Sequence, residues 1–150
     1  MRAILNFVIC ACLCFASSAL AESDLRFASV DIYLETSEPV AAWQFELSGK
    51  YGKMKVVGVE GGESAAYQRA PYYDREAVRL GEADRIVVAD YSLADIDELP
   101  SGRTRITTIH LMLDSEDDED IESTLITATT YDGRVIDASI SLVLRTGSAL

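Results

Sequence analysis

The feature that most limits the fold of this chain is an alternation of apolar and polar residues with a period of two. Trp43, Phe45 and Leu47 share one parity. The intervening Gln44 and Glu46 are polar. Because successive side chains of a β-strand point to opposite faces, this pattern predicts a strand with one buried and one solvated face. The chain is therefore predicted to be all-β and to form antiparallel sheets.

Six further segments carry the same kind of signal, either as alternation or as short β-branched runs. They are residues 30–34, 53–60, 85–91, 104–113, 121–131 and 134–144. Asp132-Gly133 separates the last two and is typical of a two-residue hairpin turn, which needs positive φ at both positions. Several short strands with turn signals at these intervals predict a single sandwich of two stacked sheets.

Three local details are also predicted. Leu25 and Phe27 have the parity opposite to that of the following strand, which indicates a bulge or a change of sheet near residues 28–29. The segment 85–91 is short and apolar, as expected of a strand at the centre of a sheet. Residues 104–113 and 121–131 are predicted to be neighbouring strands joined by an acidic segment.

The first 21 residues differ from the rest of the chain. A positive charge at Arg2 precedes an apolar run, and Ala19-Leu20-Ala21 matches the small-residue pattern of a signal peptidase site. We predict a signal peptide at residues 1–21, a single β-sandwich domain at residues 22–150, and a secreted or periplasmic product with no membrane span in the mature chain. The apolar run is shorter than the ~20 residues that a spanning helix needs.

The net charge of −12 restricts the partners. Such a field repels phosphate backbones, so we predict no nucleic-acid partner. Calcium is the one metal that the sequence suggests, because a run of carboxylates can supply several oxygen ligands to a hard cation. The candidate ligands are Asp114, Asp117, Asp118 and Asp120. The alternative interpretation is a solvated acidic loop that discourages edge-to-edge aggregation, and no other cofactor is predicted.

The sequence provides little for covalent catalysis. His110 is the only histidine, and all three cysteines lie in the predicted signal peptide. A lone histidine in a strand is typical of a packed or surface residue, so no catalytic residue is predicted and the chain is expected not to be an enzyme. A hydrolase based on paired carboxylates remains an alternative because 25 acidic residues offer many combinations. A structural envelope protein without a discrete ligand is a second alternative.

Aromatic residues suggest where a ligand binds. Trp43 alternates with apolar neighbours and is predicted to be a core residue. Tyr67, Tyr72 and Tyr73 lie in an irregular stretch that contains Pro71, where a loop can present them to a ligand. The alternative is that the loop packs its tyrosines onto the sandwich.

The order of the strand signals resembles a known family. The segments that carry the likeness are Val30–Leu34, Val40–Leu47 and Met54–Gly62, with Asp84–Ala89 and Arg105–Leu113 where further strands are expected. In this pattern the chain resembles cohesin-like modules, which share their sandwich with several carbohydrate-binding domains. The resemblance implies a jelly-roll-like antiparallel β-sandwich of about eight or nine strands.

In cellulosomal cohesins one sheet face holds a calcium-loaded dockerin, so the resemblance implies recognition rather than catalysis. It contributes the fold and no individual binding residue. Together with the signal sequence, it predicts an exported, non-catalytic module that binds a protein or a glycan.

Overall fold

The structure is a computed structural model that describes residues 25–114 and 121–146. Their strands form two antiparallel sheets. Sheet A has the strand order β3-β5-β1-β7, and sheet B has the order β4-β2-β6. The strands are β1 (Arg26–Thr36), β2 (Ala42–Gly49), β3 (Met54–Gly61), β4 (Arg85–Tyr91), β5 (Gly102–Leu113), β6 (Ile121–Thr129) and β7 (Ala138–Thr146). One short helix, α1 (Arg75–Leu80), and three 3-10 turns lie in the connections, at Lys50–Gly52, Ala65–Tyr67 and Ile96–Glu98.

The all-β, sandwich-like class is therefore confirmed, with seven strands in the described residues where eight or nine were expected. The predicted signal peptide, residues 1–21, lies outside the described part. In that part, no helix is both long and apolar enough to cross a membrane.

The two sheets enclose one hydrophobic core, to which every strand contributes alternate side chains. Trp43 and Phe45 lie at its centre with their ring centroids 5.7 Å apart, and Trp43 is 1% exposed, as predicted. The Trp43 Nε1 is buried without an acceptor among the described residues, so packing of the ring rather than a hydrogen bond holds it. The period-two pattern is thus explained by burial of one face of each strand.

Every connection between successive strands crosses from one sheet to the other. This overturns the prediction that β5 and β6 are neighbours, because β5 lies in sheet A and β6 in sheet B. A turn does form at Asp132-Gly133, where Gly133 has φ of 81° and the Thr130 N–H donates to the Arg134 carbonyl. Beyond a single bridge between Thr129 and Val135, however, the chain leaves for sheet A instead of forming a hairpin. Turn chemistry is local, whereas the choice of sheet depends on which face must be buried.

Two predictions about strand detail were also wrong. β1 continues without a break through Ala28 and Ser29, because Ala28 takes the buried parity and Phe27 simply lies exposed on the outer face. The register shift lies opposite Ile32 and Tyr33, where Ile106 of β5 is the extra residue. The second error concerns β4, which pairs with β2 on one side and makes only an isolated bridge on the other, so it is not a central strand.

Two glycines at the end of β3 allow the next segment to pass close to the sheet. A β-carbon on Gly61 would overlap the carbonyl group of Gln68, and one on Gly62 would lie 2.5 Å from the Arg105 carbonyl oxygen. The Gly62 N–H donates to the Tyr67 carbonyl at 2.6 Å. This close approach fixes the start of the segment that carries Tyr67, Tyr72 and Tyr73.

We therefore expect Gly61→Ala to destabilise the fold by about 1–3 kcal/mol, because the added methyl group must displace backbone rather than a mobile side chain. Val57→Ala, at an exposed bulge of the same strand, is the matched control and should change stability by less than about 0.5 kcal/mol. Urea denaturation of both variants measures the difference. Equal stability of the two would show that the Gln68 backbone moves aside without cost.

A stacked tyrosine pair as the candidate functional site

Tyr72 is placed by a two-residue β-bridge at the free side of β4. Its N–H donates to the Ala89 carbonyl at 2.8 Å, and the Ala89 N–H donates back at 3.0 Å. Pro71 before it is buried and Tyr73 after it is half-buried, so the extended backbone turns the Tyr72 side chain outward. The Asp74 side chain then accepts from the Ala77 N–H at 3.0 Å and begins α1. Both ends of this short segment are therefore anchored.

Tyr91 is the diagonal neighbour of Tyr72 across the bridge. It lies two residues after Ala89 on β4, and therefore on the same outer face of sheet B. The two rings are parallel within 2°, with centroids 5.9 Å apart, which is an offset stack. Tyr72 is 60% exposed and Tyr91 51% exposed. The pair thus presents a large aromatic surface to solvent in a fixed orientation.

Small residues beside the rings form a shallow depression of about 300 Å³. In one row across sheet B, Ala89 pairs with Gln44, which pairs in turn with Thr127. In the next row Tyr91 pairs with Ala42. Because alanine has only a methyl group, the depression has an apolar floor, a tyrosine wall on one side and amide and hydroxyl groups on the other.

A second shallow pocket, also of about 300 Å³, lies on the far side of Tyr72 and is charged. It is lined by Arg69, Ala70, Tyr72, Arg75 and Asp90. Asp90 accepts from the Tyr91 N–H at 2.8 Å. Partial burial raises the pKa of the Asp90 carboxyl, while this hydrogen bond and the nearby Arg69 charge oppose the rise. The two pockets share Tyr72 and Asp90 as lining residues and therefore adjoin each other.

Hydroxyl chemistry at the pair also suits a polar ligand. The pKa of Tyr72 is raised above its ordinary value, first by side-chain hydrogen bonding to Tyr91 and then by the charge of the same neighbour. Like any tyrosine well below its ordinary pKa, Tyr72 is a neutral phenol at physiological pH and can both donate and accept a hydrogen bond. The first pocket therefore combines apolar ring faces with neutral polar groups.

The structure separates the three tyrosines that the sequence grouped. Tyr72 lies in the site, whereas Tyr67 is 1% exposed and packs edge-on against Trp43 with centroids 5.7 Å apart. The Tyr67 hydroxyl donates to the Val40 carbonyl at 2.8 Å, so it is a core residue in this fold. Tyr73 is half-buried against the core, with the Arg75 guanidinium 5.4 Å from its ring centroid. The loop therefore both packs onto the sandwich and presents one tyrosine.

Tyr91 is the residue of this candidate site that the sequence did not predict. The signal was present, since Val87, Ala89 and Tyr91 alternate with core residues. The assumption that β4 is a central, fully apolar strand hid this outer face. Only the bridge to Tyr72 shows that Tyr91 has an aromatic partner.

Buried Tyr67 generates a prediction about pH. Burial, followed by the charge of Asp90, raises the pKa of Tyr67 above its ordinary value of 10.0. The neutral phenol is then favoured in the folded state, so its contribution to stability is complete below pH 10 and is lost as the pH rises further. We expect Tyr67→Phe to cost about 1 kcal/mol at pH 7, because the buried Val40 carbonyl loses its donor.

The same variant should lose less stability than the original chain between pH 10 and pH 11.5, measured by urea denaturation at each pH. Tyr131→Phe, which alters a 60% exposed tyrosine, is the control and should follow the original chain. Parallel curves for the original chain and Tyr67→Phe would contradict the assigned burial of this hydroxyl.

His110, which the sequence predicts to be a packed or surface residue, makes two side-chain hydrogen bonds on the outer face of sheet A. The Ser29 Oγ lies 2.9 Å from its Nδ1, and the Glu60 Oε1 lies 2.8 Å from its Nε2. A carboxylate at Nε2 favours a proton on that nitrogen, so Nδ1 accepts from the serine. A serine–histidine–carboxylate triad uses the opposite nitrogens. Since the Glu60 side chain is 65% exposed, we interpret the contacts of His110 with Ser29 and Glu60 as surface hydrogen bonds that orient the imidazole ring.

The calcium prediction falls mostly outside the described residues. Asp114 lies at the end of β5, is exposed, and donates its N–H to the Lys53 carbonyl. Asp117, Asp118 and Asp120 lie in the segment that is not described. Within residues 25–114 and 121–146, no group of three or more acidic, histidine or cysteine side chains is arranged to hold a metal ion. Calcium binding by the acidic run stays a prediction.

Comparison with protein-family models, with curated proteins and with solved structures gives no match to this chain. Function must therefore be argued from the site itself.

Proposed function

We propose that this chain is an exported, non-catalytic module that binds a glycan at the outer face of sheet B. The observation that carries the proposal is the parallel, solvent-exposed pair of Tyr72 and Tyr91 beside an apolar depression. The two exposed phenol rings hold each other in place by stacking. Less side-chain conformational entropy is therefore lost when a ligand binds. Export remains the prediction made from residues 1–21.

Sugar rings match the chemistry of this surface. A pyranose has one face rich in C–H groups, which packs against an aromatic ring, and a rim of hydroxyl groups that need hydrogen-bond partners. The tyrosine wall suits the first requirement. Gln44 and Thr127 suit the second, because an amide and a hydroxyl can each both donate and accept.

The geometry favours a glycan over a protein partner. A stable protein interface needs about 800 Å² on each partner, usually centred on a well-packed apolar anchor. The depression is small, and its polar groups lie within the same few residues as its rings. A glycan chain of a few sugar units fits such a site without a larger complementary surface.

Two further elements of the proposal concern the fold. The alternation of successive strands between sheets A and B is compatible with a jelly-roll-like topology of eight or nine strands, and the cohesin-like resemblance belongs with it. The strand-like bridge at Tyr72 would extend sheet B by one position, at the point where the site lies. The same feature would then both widen the sheet and carry the ligand-binding residue.

Binding is tested with residues 22–150 on an array of neutral and acidic oligosaccharides, followed by calorimetry with the best ligand. We expect Tyr72→Ala and Tyr91→Ala each to weaken binding at least tenfold, because each removes a ring and unstacks the other. Tyr131→Ala is the matched control, since Tyr131 is equally exposed but lies in the turn after β6. Its affinity should equal that of the original chain.

Several outcomes would refute the proposal. Binding that is insensitive to both tyrosine variants would place the glycan elsewhere. If no glycan binds, but a purified protein does bind and Tyr72→Ala abolishes that binding, the ligand of this site is a protein and not a glycan. Shortening of the bound oligosaccharide on overnight incubation would favour the hydrolase alternative, whereas a module leaves its length unchanged.

A further inference from the structure

We propose that the glycan is an acidic one, whose uronic-acid carboxylate is held by Arg69 and Arg75. This inference depends on the proposed function, because it names the ligand class of the same site. Both arginines are exposed and line the pocket that continues from Tyr72. A sugar stacked on the tyrosine pair would carry a neighbouring ring, or its own substituent, into that pocket.

The two arginines differ from four others in the described part of the chain, although Arg103, which lies over the Tyr33 ring, and Arg105, which donates to the Gly61 carbonyl, also make no salt bridge there. Four arginines there form salt bridges with carboxylates: Arg79 with Glu76, Arg85 with Glu46, Arg134 with Glu38 and Arg145 with Asp31. Within the same residues no salt bridge engages Arg69, and Arg75 contacts the face of the Tyr73 ring instead. The guanidinium donors of Arg69 and Arg75 are therefore available to an external anion.

Local charge outweighs the net charge at this site. The chain carries −12 overall, but charges more than about 8 Å away are largely screened at physiological ionic strength. Two guanidinium groups and one carboxylate, that of Asp90, line the pocket, and the neighbouring Asp74 carboxylate accepts from the Ala77 N–H at the start of α1. An anion that reaches the pocket meets attraction, even though the distant field is repulsive.

The chemistry of the donors favours a carboxylate on a sugar. A guanidinium group presents a planar pair of N–H donors that matches the two oxygens of a carboxylate, which gives short, charge-assisted hydrogen bonds. Asp90 adds an acceptor for a sugar hydroxyl beside the anion. A glycan that contains uronic acids requires an aromatic surface, guanidinium groups and a hydrogen-bond acceptor close together. The two adjoining pockets provide all three.

The test compares an oligogalacturonate with the same oligosaccharide after reduction of its carboxyl groups to alcohols, both by calorimetry on residues 22–150. We expect the acidic form to bind at least tenfold more tightly at 150 mM salt, where the repulsive overall field is screened beyond about 8 Å. The R69Q/R75Q double variant should bind the acidic form as weakly as the reduced one. Its affinity for the reduced form should fall far less than its affinity for the acidic form, because the tyrosine pair is intact.

Arg79→Gln is the matched control, since Arg79 lies on the same short helix as Arg75 but is paired with Glu76 outside the pocket. It should leave the preference for the acidic form unaltered. If both oligosaccharides bind equally tightly and Tyr72→Ala abolishes the binding of both, this inference is overturned and the proposed function stands. An acidic preference that survives in the double variant would overturn it as well. Failure of both oligosaccharides and of every other glycan would overturn the inference and the function together.

Discussion

Burial of one parity of side chains between two sheets is the interaction on which the rest of this structure depends. Trp43, Phe45 and Leu47 of the central strand β2 are each at most 1% exposed, and each such side chain contributes about 1.5–3 kcal/mol when removed from water. Their burial forces Gln44 and the small Ala42 onto the opposite face. The outer surface of sheet B, with its shallow floor, is therefore a direct consequence of the core pattern.

The strand connections give that surface its aromatic wall. Because successive strands alternate between sheets, the chain must cross from β3 in sheet A to β4 in sheet B. It does so through a segment that passes against Gly61, buries Tyr67 and then bridges β4 at Tyr72. A long connection of this kind serves two purposes, since one tyrosine closes the core while another, five residues later, faces solvent.

Charge acts on two scales in this chain. The overall excess of acidic groups keeps the surface negative and opposes association with polyanions in general. Near Tyr72, Arg69 and Arg75 place two positive charges in one pocket beside the Asp90 carboxylate. Salt screens the first effect, whereas the proposed contacts with an acidic sugar would be direct hydrogen bonds, so selectivity for one acidic ligand and repulsion of others are compatible.

The amino-acid sequence alone determined the fold class, most strand positions and the burial of Trp43, because period-two patterning is a local consequence of strand geometry. It also predicted Tyr72 as a candidate ligand-binding residue, and Tyr72 is exposed in the structure. Tertiary structure alone decided which strands pair, since the Asp132-Gly133 turn leads not to a hairpin but to the other sheet. It likewise decided that Tyr67 is buried and that Tyr91 stacks on Tyr72, because a contact between residues on separate segments depends on register, which no local pattern encodes.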